Sequence, residues 1–97
     1  MENKASLLLI KINPHIPTDF VIVDSYFCIH YFSIKDTEIY KITTFKEHKQ
    51  RINDICFLKH TEDIFNTAFF SASSDGSIKL WDTKSIGSVN TIKCNIY

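Results

Sequence analysis

Ser71-Ala72-Ser73-Ser74-Asp75-Gly76-Ser77-Ile78-Lys79-Leu80-Trp81-Asp82 carries the strongest local instruction in this chain. Phe69-Phe70 leads in as a short apolar run. Asp-Gly then reverses the chain, because it tolerates the positive φ angles of a tight turn. Ile78 and Leu80 alternate with polar residues on the way out, the period of a strand with one buried face. The stretch is therefore a β-hairpin that closes on Trp-Asp.

Upstream, His48 stands 33 positions before Trp81, preceded by Glu47 and followed by the apolar pattern Ile52, Ile55, Phe57. His, first strand, Ser-x-Asp-Gly turn and Trp-Asp, in this order and spacing, resemble a WD repeat, the four-stranded unit of β-propellers. The family usually has Gly-His where this chain has Glu47-His48. The resemblance implies a hydrogen-bonded structural tetrad inside one blade, carried over as His48, Ser73, Asp75 and Trp81. The donors and acceptors suit such a chain, and buried polar groups must be paired. It also implies a partner-binding loop face, which transfers to Lys49, Arg51 and Ser74.

Outward from this repeat, the chain reads as a series of short strands. Ser6 to Ile12 is apolar, and Asn13 to Asp19 is a loop because its two prolines cannot donate to a ladder. Phe20 to Val23 reads as a strand buried on both faces. Phe27 to Phe32 and Glu38 to Phe45 follow, with turns at Asp24-Ser25 and Lys35-Asp36-Thr37. After the charged loop 46–51 come Ile52 to Phe57, Ala68 to Ser73, Ser77 to Trp81 and, beyond the turn at 82–87, Ser88 to Lys93. Aligning Phe32 with Trp81 splits these strands into two sets of four, 49 positions apart. The expected fold is all-β: two four-stranded antiparallel WD-repeat blades, an incomplete propeller. Residues 1–5 are a flexible N-terminus, 6–45 a degenerate first blade, and 46–97 the WD repeat with the second blade. The first blade lacks the markers, with Tyr26 at the Asp position and Phe32 at the Trp position.

Composition narrows the function. Lysine and arginine balance aspartate and glutamate at 11 each, so no strong field exists to hold nucleic acid or an anionic membrane. Cys28, Cys56 and Cys94 are odd in number and set among apolar strand residues, which reads as reduced thiols in an intracellular protein of cytoplasm or nucleus. Leu7-Leu8-Leu9-Ile10 is too short for a targeting or membrane-spanning core and is broken by Lys11.

Ser, His and Asp together raise the possibility of a hydrolytic triad. No nucleophile elbow or Gly-rich oxyanion loop accompanies them, so no catalytic residue is expected. Cys56 with His60, and Cys28 with His30, raise zinc. Both cysteines sit in apolar strand patterns, where a free buried thiol is usual, so neither metal nor cofactor is expected. Tyr26, Tyr31, Phe65 and Phe69 read as core or inter-blade packing.

Two blades do not close a propeller ring, and each leaves a face uncovered. Three arrangements are open: part of a longer WD-repeat protein, self-association into a ring, or docking onto an incomplete propeller in another chain. The first is favoured, since the chain stops at Asn95-Ile96-Tyr97, where another repeat would begin. The expected role is a protein-interaction scaffold without catalysis. Membership of an RNA or ribonucleoprotein complex, or a hydrolase using Ser/His/Asp, are the alternatives.

Overall fold

A computed structural model of the chain describes residues 4–59, 66–84 and 87–93. Met1–Asn3, His60, Phe65, Cys94 and the last three residues, all named above, lie outside the described residues. Among the described residues the regular structure is entirely strand: β1 (Leu7–Ile12), β2 (Asp19–Asp24), β3 (Ile29–Lys35), β4 (Glu38–Phe45), β5 (Ile52–Phe57), β6 (Ala68–Ser73), β7 (Ser77–Asp82) and β8 (Asn90–Lys93). They form two antiparallel sheets, ordered β1-β2-β3-β4 and β5-β6-β7-β8. This is the all-β pair of four-stranded blades that the sequence calls for.

Several expectations need correction: Tyr26, read as packing, is exposed, and so is Cys56, read as a buried thiol. Phe27 is not in a strand. Asp24 Oδ1 accepts the N–H groups of Tyr26 (2.9 Å) and Cys28 (3.1 Å), and such side-chain capture competes with the ladder. The chain turns there, with Phe27 at φ 66°. Nor is β2 buried on both faces: Val21 and Val23 are buried, while Phe20 and Ile22 are half-buried. Finally, β8 begins at Asn90 rather than Ser88. The N–H and Oγ of Ser88 donate instead to the Glu47 carboxylate, at 2.8 and 2.7 Å.

One face of each sheet is sealed against the other. Val21, Val23, Ile29, Tyr31 and Phe45 of the first sheet meet Ile52, Ile55, Phe69 and Trp81 of the second in one core. Phe45 and Trp81 rings lie 4.7 Å apart, and Tyr31 and Phe69 6.4 Å. Burial of side chains this large contributes about 1.5–3 kcal/mol each, so this interface holds the two sheets together.

The two sheets repeat each other in detail. The N–H of Phe27 donates to the carbonyl of Asp24, and that of Gly76 to the carbonyl of Ser73. These bonds are 49 positions apart, and Phe27 and Gly76 both have positive φ. Phe20 pairs with Phe32, and Phe69 with Trp81, at the same offset. Matching residues face the core in one sheet and away from it in the other: Phe69 and Trp81 are in the core, while Phe20 and Phe32 are half-buried on the far side of theirs. The sheets thus stack like face to unlike face.

Candidate functional site

The polar set within the second sheet is built on the β6–β7 hairpin. Trp81 is 0% exposed, and its Nε1–H donates to Ser71 Oγ at 2.7 Å. Ser71 Oγ lies 2.6 Å from His48 Nε2, and His48 Nδ1 lies 3.0 Å from Asp75 Oδ2. Donor counting orders the chain. Ser71 accepts from the indole and donates to Nε2, which leaves the imidazole hydrogen on Nδ1 to be donated to Asp75.

The serine in this chain is Ser71, not Ser73. Trp81 pairs directly with Phe69, so the next residue on that face, Ser71, is its diagonal neighbour. Ser73 lies a further two residues, about 6.6 Å, along the strand and out of reach. Ser73 Oγ instead accepts the N–H of Asp75 (3.1 Å) and donates to the carbonyl of Gln50 (3.2 Å), so it shapes the turn. Register counted back from the Asp75-Gly76 turn identifies Ser71; the Ser-x-Asp motif alone points two residues too far.

Asp75 is the hub. Its Oδ1 accepts Ser77 N–H (2.9 Å) and Ser77 Oγ–H (2.5 Å), and its Oδ2 accepts Lys49 N–H (3.0 Å) and His48 Nδ1–H. All four carboxylate lone pairs are thereby filled. Burial by itself would raise the pKa of Asp75. The bonds from Ser77, Lys49 and His48 outweigh burial and hold it well below the usual carboxylate range.

The connectivity Asp75–His48–Ser71 matches a hydrolytic triad, but its surroundings do not. Ser71 is 1% exposed and its oxygen is already engaged by the Trp81 indole. A nucleophile must reach its substrate; this hydroxyl is sealed beneath the first sheet.

Lys49, Arg51 and Ser74 are exposed and brought together at one end of the second sheet. Ser74 N–H donates to the carbonyl of Arg51 (2.9 Å), and Asn53 Nδ2 donates to Ser74 Oγ (3.0 Å). A polar hollow of about 250 Å³ opens beside them, lined in part by Lys49, Gln50, Asp75 and Lys79. Glu47, the departure from Gly-His, ties this loop to Ser88 and lies 3.6 Å from Lys79 Nζ. Burial would raise its pKa, but Ser88 and Lys79 lower it overall.

A second buried polar set joins the sheets and was not anticipated. Asn13 is fully buried; its Nδ2 donates to Tyr31 Oη (3.0 Å) and to the carbonyl of Asn66 (2.6 Å). Its Oδ1 accepts the N–H groups of His15 and Ile16, and Tyr31 Oη–H donates to Asp19 Oδ2 (2.6 Å). Burial, with the Asp19 bond and charge, pushes the Tyr31 phenol upward. Asn13 reads as a loop residue before proline, and nothing local announces a partner 53 positions away.

In the first sheet Asp24, Cys28 and His30 place their polar atoms within 4.8 Å of one another. His30 Nε2 lies 2.7 Å from Asp24 Oδ2, and its Nδ1 3.0 Å from Thr44 Oγ1. The Asp24 carboxylate is thus committed to His30 and to two backbone N–H groups. Burial raises its pKa, but these bonds, His30 foremost, lower it overall.

Comparison with known proteins agrees with the repeat read at this hairpin. Residues 39–82 match the family described as WD domain, G-beta repeat. The match supports a WD repeat in this segment of the chain. The match starts in β4 of the first sheet and ends with β7 of the second, so one sequence repeat spans both sheets. Over 48 residues, half of its length, the chain is 46% identical to WD40 repeat-containing protein smu1 of Dictyostelium discoideum. The match spans 8% of that protein's length.

Proposed function

We propose that this chain is a protein-interaction scaffold without catalysis of its own, and that it presents the loop end carrying Lys49, Arg51 and Ser74 to other proteins. One observation carries this reading. Asp75 binds the buried His48 and, through the same oxygen, the backbone N–H of exposed Lys49. The sealed polar chain therefore holds the loop in one shape, and a preorganised loop loses less entropy on binding a partner. The tetrad, with Ser71 as its serine, is structural and serves that purpose. Free Cys28 and Cys56 fit an intracellular setting. Among the described residues no helix is long and apolar enough to cross a membrane.

The test is a double charge reversal, Lys49→Glu with Arg51→Glu, in the native cell. Quantitative co-purification should lose the proteins captured by the wild type, while the melting temperature stays put. Undiminished capture by a folded variant would reject this loop end as the contact surface.

A further inference from the structure

We propose that this chain associates head to tail with copies of itself, the outer face of its first sheet seating the outer face of the second sheet of the next copy. This goes beyond the loop-end reading and is independent of it.

Both outer faces are apolar. On the first, Ile10, Ile12, Phe20, Ile22 and Phe32 share the side opposite Val21 and Val23. Phe20 and Phe32 stack with centroids 5.4 Å apart, and Ile10 and Ile12 are 60% and 65% exposed. On the second, Ala72 lies among larger residues and leaves a hollow of about 340 Å³ lined chiefly by Cys56, Phe70, Ile78 and Ile92. Contiguous exposed apolar surface of this kind marks an interface.

The interface inside one copy specifies the kind of surface that fits these faces. Inside one copy, Val21, Val23, Ile29 and Tyr31 of the first sheet share a buried core with Phe69 and Trp81 of the second. Shifted by the 49-residue repeat, the first set becomes Phe70, Ala72, Ile78 and Leu80, all on the outer face of the second sheet. Shifted back, the second set becomes Phe20 and Phe32, on the outer face of the first. Joining one copy's outer second sheet to the next copy's outer first sheet therefore repeats an interface the fold already makes. The stacked phenylalanines rise where the partner face is hollowed at Ala72. Lys41 lies across from Phe32; Asp54, across from Ala72, is already 3.6 Å from Lys11 Nζ of its own chain, so the contact is chiefly apolar.

The two surfaces are unlike, so the contact is heterologous, and it ends only when a ring closes. Blade rings close at about four to eight blades, which is two to four copies of this chain.

Solution mass by sedimentation or light scattering tests this on the whole chain. The expected result is one finite species of two to four chains, each of 11.3 kDa. Ile12→Lys blocks one face and Ile92→Lys the other; both sites are exposed, Ile92 by 51%. Each variant alone should run as a single chain with an unchanged strand spectrum, and an equal mixture should give a two-chain species. A wild type at the mass of one chain, open-ended aggregation, or a blocked variant that still pairs with itself each overturns the proposal. If a variant does not fold, the wild-type mass decides.

Discussion

Phe69–Trp81 in the second sheet and Phe20–Phe32 in the first occupy the same ladder positions, yet one pair is sealed and the other half-open. Their polar surroundings differ accordingly. An indole N–H sealed from water must find an acceptor, and Ser71 supplies it, with His48 and Asp75 behind. Phe32 carries no donor, and at Ser71's place the first sheet has Ile22. Its polar chains lie elsewhere, in Asp24–His30–Thr44 and in Asn13–Tyr31–Asp19. The markers that distinguish the second sheet follow from a polar group buried there, and the first sheet lacks them because its matching position buries none.

The largest expected effect comes from erasing the sealed ring. Trp81→Ala removes the centre of the inter-sheet core and should cost about 3–5 kcal/mol, read as a large fall in denaturation midpoint. Phe32→Ala, at the matching site that is half-open within one chain, should cost clearly less. Both changes are compared in the Ile92→Lys background, which is expected to run as a single chain. Equal losses would mean that the two sites are not differently covered.

Ser71→Ala comes next. It orphans the Trp81 N–H and His48 Nε2, at about 1–3 kcal/mol. Ser73→Ala removes only turn bonds, about 0.5–1.5 kcal/mol. Thermal melts of the pair compare them directly, and the reverse order would return Ser73 to the tetrad.

Gly76→Ala sharpens the comparison of turns. An L-residue at its φ of 85° costs about 1–2 kcal/mol, a strain that Phe27 already carries in the first sheet.

Acid probes the Asp75 hub. Its folded pKa lies below its ordinary 3.8, so its contribution is complete above about that pH and drains away as pH falls through the folded value. Asp75→Asn should therefore narrow the gap to the wild type as the medium is acidified below pH 3.8. A gap that stays constant across that range would deny the linkage. The smallest effect belongs to Lys49→Glu, an exposed change expected to move stability by no more than about 0.5 kcal/mol.

Particular residues show how far local pattern reaches. Alternation in Ile78-Lys79-Leu80-Trp81 and the Asp75-Gly76 turn identify the hairpin without help from distant parts of the chain. Alternation also separates the strands correctly elsewhere, and the bounds of β4, β5 and β6 agree with it. It failed at Phe27, because an aspartate side chain took over the backbone donors, a competition that hydrophobic periodicity does not register. The residue carried over from the resemblance failed at Ser73 against Ser71, since both lie on one strand face and only cross-strand register separates them.

By itself the sequence determined the strands, the turns and the repeat of 49, all consequences of short-range backbone preference and side-chain alternation. Only the tertiary structure decided which face of each sheet is sealed and that Asn13 bridges to Asn66. Those outcomes depend on distances between residues far apart in the chain, set when one sheet settles on the other and water is excluded from between them.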